Sequence, residues 1–262
     1  MRSLTTAALG MQAQQLSVEV ISNNIANSST TGFKRQRAEF ADLLYQDQRR
    51  VGTQTSNTGT IVPAGIQIGV GVKAVSVYRI NEQGNLIQTT NPLDVAIKGR
   101  GYLQVTMPDG TTAYTRDGSL KLDDTGQITT ADGFPIVPGL TVPATATDLS
   151  ISPTGDVEAT IPGQVNPQLV GTIQLANFIN PAGLDAIGDN LLTETQASGA
   201  PTTGNPGDVG FGQLQQNFLE SSNVNMVSEM TDLITAQRNY EMNSKVVQAS
   251  DDMMSTVVSM KT

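Results

Sequence analysis

The sequence predicts an α+β fold: paired long helices at the two termini, coiled-coil-like, around an all-β middle. Three observations carry the prediction. Apolar residues recur every seven positions near each end, at Leu4, Met11, Val18 and Ile25 and again at Met226, Leu233, Tyr240, Val247 and Met254. Neither Gly nor Pro occurs from Asn223 to Thr262. Between the ends, short β-type runs alternate with Asp-Gly and related pairs, which accept the positive φ of tight hairpins.

The N-terminal helix reads from Ser3 to about Asn27, with Ala7 and Ile21 completing its apolar face and Gly10 its only Gly. At 1.5 Å per residue it is about 35–40 Å long. Thr30, Thr31 and Gly32 supply its stop. In the C-terminal helix Met230, Ile234 and Val258 widen the stripe, whereas Gln237, Ser244 and Asp251 dilute its second row. Ser222 or Asn223 provides the cap.

Strands are expected at residues 75–80, 93–97, 102–107, 113–115, 119–122 and 127–130. The turns between them are Gln83-Gly84, Asp109-Gly110, Asp117-Gly118, Asp124-Thr125-Gly126 and Asp132-Gly133. Six prolines from Pro135 to Pro167 make the next stretch looped or edge-like. Residues 168–178 read as one strand, 180–183 as a turn and 195–212 as a Gly-, Pro-, Ser- and Thr-rich linker.

Composition excludes much of chemistry. The 262 residues contain no Cys, His or Trp, which removes disulfides, thiol nucleophiles, Ser–His–Asp triads and imidazole or thiolate zinc sites. Aromatics at 4% and apolar residues at 38% imply a thin core. A net charge of −9 argues against nucleic acid as a partner. No apolar run reaches the ~18–20 residues that span a bilayer, so no membrane insertion is expected. No cleavable export signal is visible, because Gln12, Gln14 and Gln15 interrupt the Ala7-Ala8-Leu9 stretch.

Lys34, Arg35 and Arg37, with Arg49 and Arg50, read as a solvated or inter-subunit salt-bridging face. Gly65, Gly69 and Gly71 before Lys73 lack the order of a phosphate-cradling loop. Asp123-Asp124-Thr125-Gly126 lacks the spacing and closing Glu of a calcium loop and reads as a hairpin turn. No residue is therefore assigned a catalytic, cofactor-binding or metal-binding role.

The acidic charge is concentrated in residues 77–200, with 5 basic and 13 acidic side chains. The ends hold the apolar stripes, and a long amphipathic helix is only marginally stable unless its stripe is packed. Two readings stay open. The helices can form an intramolecular hairpin on the β-domain, or copies of the chain can complete each other's seam. Head-to-tail contact of the second kind generates a helical filament unless the rotation closes.

The end sequences also carry a resemblance. Ser22-Asn23-Asn24-Ile25-Ala26-Asn27 followed by Thr30-Thr31-Gly32-Phe33-Lys34 resembles the N-terminal signature of bacterial flagellar rod and hook proteins. Ser222-Asn223-Val224-Asn225, Glu229-Met230, Leu233-Ile234 and Gln237-Arg238-Asn239-Tyr240-Glu241-Met242-Asn243 resemble that family's C-terminal signature. The middle agrees through Gly99-Arg100-Gly101-Tyr102-Leu103-Gln104-Val105 and Ala113-Tyr114-Thr115-Arg116-Asp117-Gly118, with Leu103 where relatives often have Phe. Residues 45–71 are similar to the extended segment that marks distal rod subunits.

The resemblance implies a non-enzymatic structural subunit of the flagellar basal-body distal rod. Such subunits polymerise into a hollow helical drive shaft that transmits torque from motor to hook and passes exported subunits. It further implies three parts: residues 1–30 with 222–262 as a helical inner core, 31–76 with 201–221 as a connecting region, and 77–200 as a β-rich outer domain. Residues 45–71, whose Thr, Ser, Gly and Gln content alone reads as a flexible loop, would by this resemblance form an extended arm or hairpin within the connecting region. Implied partners are copies of the chain, proximal rod and hook or hook-junction subunits, peptidoglycan-layer and outer-membrane ring proteins, and the flagellar export apparatus. The implied location is the basal body, reached without a cleaved signal. A proximal rod or hook-type subunit is the nearest alternative, and a glycan-hydrolysing or adhesive surface protein a remoter one. Expected interface residues are Leu4, Met11, Val18, Ile21, Ile25, Met226, Met230, Leu233, Tyr240, Val247 and Met254.

Overall fold

A computed structural model describes residues 2–49, 64–164 and 166–260. The chain is α+β, with one long helix near each terminus and a β-rich region between. It divides into two compact units. One comprises residues 1–25, 36–78 and 226–262, and the other residues 26–35 and 79–225.

In the first unit, helix α1 spans Arg2–Ala26 and helix α2 spans Met226–Ser259. Helix α1 ends where expected, in a turn over residues 27–32. Helix α2 runs 34 residues because no Gly or Pro interrupts it. The same unit contains a two-stranded ribbon, Gln36–Asp42 beside Val72–Arg79, and a second ribbon, Tyr45–Arg49 antiparallel to Ile66–Gly69. The first ribbon is closed by a bond from the Leu43 amide to the Gly71 carbonyl, 2.9 Å. Gly71 has φ +139°, and a Cβ there would lie 2.8 Å from Leu9 Cδ1, so this ribbon end packs directly on α1.

The second unit is built on an antiparallel six-stranded sheet. Its order is Asp185–Gly188, Leu191–Thr193, Thr112–Thr115, Tyr102–Thr106, Leu175–Asn177, Thr202–Gly204. The two central strands are joined by the Asp109-Gly110 turn, where Gly110 takes φ +84° as its position requires. Alternation along Tyr102–Thr106 sends Leu103 and Val105 to one face and Tyr102 to the other, and both faces are covered. The first face meets Ile97, Leu120, Ile128, Ile136, Leu175 and Leu214 in an aliphatic core. On the second face the rings of Tyr102 and Tyr114 meet Phe178 edge-on, with centroids 6.0 and 4.8 Å apart. The scarcity of aromatics therefore yields a core filled by Ile, Leu and Val.

Several expectations about the middle are corrected. The proline-rich stretch holds an edge strand, as expected, but also a central one: Asp148–Ile151 at the edge and Asp156–Thr160 in the middle of a three-stranded sheet pair antiparallel and bury Leu149, Ile151, Val157 and Ala159. Residues 168–178 are two strands, not one. Gln168–Thr172 joins that three-stranded sheet, and Leu175–Asn177 joins the six-stranded sheet. Ile173, fully buried between them, lets one extended stretch serve two sheets. Residues 195–212 are no linker, because Thr202–Gly204 is an edge strand and Ser198 is buried. Asp117-Gly118 does not turn a hairpin. A Cβ on Gly118 would overlap the Val95 carbonyl, so this Gly serves close backbone approach.

Candidate assembly surface

The two helices touch at three levels. Near one end, Asn24 Nδ2 donates to Glu229 Oε2 at 3.1 Å, with both residues buried. In the middle, a Cβ on Gly10 would lie 2.9 Å from Asn243 Nδ2. Near the other end, the hydroxyls of Ser3 and Ser250 are 3.3 Å apart. The contacts rise by seven or fourteen on one helix as they fall by the same step on the other, so the helices are antiparallel. By the same register Ser17 lies level with Ala236, which is buried.

This line is small and polar. The large apolar heptads lie beside it and stay open to differing degrees. Leu4, Met11, Val18, Ile21 and Ile25 on α1 are half-buried, as are Leu233 and Val247 on α2. Met226, Met230, Tyr240 and Met254 are exposed, Met226 and Tyr240 by 43%. Among the described residues, all but six of the exposed large hydrophobics belong to this unit, the six being Ile87, Leu122, Leu169, Ile179, Ile187 and Val209. An apolar surface of this extent, rimmed by polar residues, is the mark of an interaction site. Gln237, Tyr240 and Glu241 join Gln15 and Val18 around an open cavity of about 480 Å³ on the same surface.

The signature residues divide between this surface and the framework. Asn24 does more than meet Glu229: its Nδ2 also donates to the Gln36 carbonyl at 2.9 Å, and its Oδ1 accepts from the Gln36 amide at 2.8 Å. It thus ties the end of α1 to the start of the ribbon and to α2. Asn23 and Ala26 are exposed, and Asn27 is half-buried, its Oδ1 accepting from the Thr30 hydroxyl. Gln237, Arg238 and Glu241 are exposed on α2.

In the second unit the remaining signature residues form a buried ionic clasp. Lys34 Nζ donates to Glu220 Oε1 at 2.5 Å and to the Glu82 carbonyl at 2.8 Å. Arg116 donates from Nη1 to Glu220 Oε2 at 3.0 Å and from Nη2 to the Gly99 carbonyl at 2.6 Å. The Gly84 amide completes the carboxylate shell at 2.9 Å. Gly32 closes the arrangement, its amide donating to the Glu220 carbonyl at 2.8 Å. The Thr31 carbonyl accepts from Asn190 Nδ2 at 3.0 Å, and Phe33 is half-buried.

Burial pushes the Lys34 ammonium below its ordinary pKa, with the Glu220 contact opposing. For Lys34 this corrects the expectation of a solvated or inter-subunit salt-bridging face: Lys34 is 7% exposed, and its partner Glu220 lies 186 positions away in the same chain. Arg35 is half-buried, Arg37 is exposed, and Arg50 lies outside the described residues. Asn223 is likewise no helix cap, because its side chain accepts from the Arg35 amide and donates to the carbonyls of Ile80 and Glu82.

Three family models match the chain. Residues 4–34 match the family model described as flagella basal body rod protein. Residues 96–159 match the flagellar hook protein FlgE/F/G D1 domain, and residues 215–260 the flagellar basal body rod FlgEFG protein C-terminal model. The flagellar basal-body rod protein FlgG of Caulobacter vibrioides is 60% identical over 254 residues, covering 97% of both chains. The chain belongs to the flagellar basal-body rod protein family. The FlgG proteins of Agrobacterium fabrum, 50% identical with 98% of each chain covered, and Borreliella burgdorferi, 46% identical with 100% of this chain and 99% of that protein covered, are further relatives. Among the described residues no helix is long and apolar enough to cross a membrane.

Proposed function

We propose that this chain is the structural, non-catalytic subunit of the flagellar distal rod, assembling with copies of itself into a hollow helical shaft. The shaft transmits torque from motor to hook and carries exported subunits through its bore. One observation carries the reading: the helices meet along a line of small and polar residues and leave Met226, Met230, Tyr240 and Met254 exposed, with Leu233 and Val247 only half-buried. A chain that folded for itself alone would bury that stripe, since each large side chain contributes about 1.5–3 kcal/mol on burial. The terminal parts, residues 1–30 and 222–262, are the polymerising core, and coiled-coil-like contacts between copies cover Leu233, Tyr240 and their neighbours.

Residues 45–71, of which 50–63 lie outside the described residues, are the arm that lies along a neighbouring copy. The ladder pairs Tyr45 with Gly69, Gln46 with Ile68 and Arg49 with Ile66, and both strands are exposed except at Arg49. The shaft meets proximal rod and hook or hook-junction subunits at its ends and the ring proteins of peptidoglycan layer and outer membrane on its flank. The subunit reaches the basal body through the flagellar export apparatus. The experiment is Leu233→Asp: the variant is exported and does not assemble, leaving cells non-motile. Motile flagella built from Leu233→Asp subunits would refute the assignment.

A further inference from the structure

Basic side chains are scarce in residues 77–200, and they are not scattered. Of the five there, Arg79, Arg100 and Arg116 gather around Tyr102. The Arg116 guanidinium lies over the Tyr102 ring, 5.4 Å from its centroid. Burial raises the pKa of the Tyr102 hydroxyl, and the charges of Arg116 and Arg79 oppose that rise. Arg100 and Arg116 also line a cavity of about 340 Å³, together with Asn81 and Tyr102, and no Asp or Glu is in its lining among the described residues.

The polar groups of this cavity are unequally committed. Arg116 gives Nη1 to Glu220 and Nη2 to the Gly99 carbonyl, so it is a fixed positive charge in the lining. The Tyr102 hydroxyl donates to Asn81 Oδ1 at 3.4 Å, which leaves Asn81 Nδ2 without a partner. Arg100 is exposed, and among the described residues its guanidinium bonds to nothing. Carboxylates close by are matched elsewhere. Glu220 lies between Lys34 and Arg116, Asp185 acts on Arg79, and Asp117 accepts from Ser119. Glu82, next to Asn81 in sequence, is exposed and outside the lining. Arg100 is thus left with no counter-charge.

We propose that this cavity binds an acidic segment of a partner protein, which sets an Asp or Glu carboxylate on Arg100 and Asn81 and an aliphatic neighbour on Ile179. The donors select the carboxylate: a free guanidinium fork beside an amide N–H pair matches a planar acceptor with two oxygens. The rim selects a polypeptide. Ile179 is 91% exposed, and Val209, next to the Gly210 carbonyl that accepts from Asn177, is fully exposed, so apolar surface continues beyond the cavity. The volume is at the small end for a ligand site, so it takes a side chain and leaves the rest of the ligand to that rim. Tyr102 and Phe178 are at most 5% exposed, and no aromatic face lies open to stack on a ring-shaped ligand. The cavity lies wholly in the second unit and does not depend on the polymer reading.

The test is an NMR titration of the full, isotope-labelled chain with the dipeptide N-acetyl-Glu-Leu-amide. Binding with a Kd of about 1 mM shifts the backbone amides of Gly101 and Ile179, and N-acetyl-Gln-Leu-amide leaves them in place. Arg100→Ala, a change at an exposed side chain, weakens binding about tenfold without moving the urea midpoint. Arg100→Lys recovers only part, because it keeps the charge and loses the fork. No shift at about 10 mM of the Glu dipeptide, equal shifts with its Gln counterpart, or binding undiminished in Arg100→Ala would each overturn the site. Two further results would overturn the occupant. Acetate binding as tightly as the Glu dipeptide would make it a free carboxylate, and the same shifts on raising the chain's own concentration would make it a second copy.

Discussion

Replacing Glu220 by Ala probes the clasp that ties three distant segments of the second unit together. The carboxylate is 1% exposed and accepts from Lys34 at 2.5 Å, Gly84 at 2.9 Å and Arg116 at 3.0 Å. Removing it leaves two cations that the fold holds out of water, Lys34 and Arg116, with only backbone carbonyls as acceptors. Breaking a buried pair by deleting one partner costs about 3–5 kcal/mol. With a urea slope of about 2–3 kcal/mol per molar, the unfolding midpoint falls by about 1–2 M. The assay is urea denaturation of the purified chain followed by tyrosine fluorescence, which reports Tyr102 and Tyr114 in this unit. A triple replacement, Lys34→Met, Arg116→Met and Glu220→Leu, recovers part of the loss, because apolar groups need no counter-charge. A midpoint that moves by less than ~0.3 M in Glu220→Ala would refute the clasp.

Three further outcomes follow from particular contacts. Asn24→Ala removes three hydrogen bonds, two of them half-buried and the third, to a carboxylate, fully buried, at a cost of about 3–5 kcal/mol; rod assembly then requires at least about tenfold more protein, measured by sedimentation. Lys34 gives a pH signature: burial lowers its folded pKa, so between that value and ~10.4 the unfolded chain binds more protons and stability rises with pH. The native chain therefore gains on Lys34→Met as pH goes from 8 to 10 in urea midpoints, and a shrinking margin contradicts the burial argument. Burial raises the Tyr102 pKa and opposes this trend, but Tyr102 is present in both proteins and cancels in the comparison. Deleting residues 46–63 yields a tube that images as bent and compliant, whereas an equally straight, stiff tube removes the arm from the account.

The helices were legible because periodicity and the absence of breakers are local properties. Which stripe pairs was not. The seven-residue repeat is real for Leu4, Met11, Val18 and Ile25, yet the contact line runs one position earlier, through Ser3, Gly10, Ser17 and Asn24. Small residues allow close approach without advertising burial, and hydrophobic pattern alone points to the wrong line. Lys34 and Glu220 were opaque for another reason: a lysine reads as solvated until its partner, far along the chain, is known to be buried beside it. The missed strands at Asp148–Ile151 and Asp156–Thr160 lie among prolines that punctuate their ends, not their interiors. Strand Gln168–Thr172 passes to Leu175–Asn177 with no turn residue to mark the change of sheet.

The central claim is that other copies of the chain cover the apolar stripes of α1 and α2. A cryo-EM reconstruction of the assembled rod at side-chain resolution tests it most directly. The account predicts Met226, Met230, Tyr240 and Met254 packed against helices or ribbons of neighbouring copies. A tube in which those side chains face solvent, with subunits joined only through residues 79–225, would contradict it.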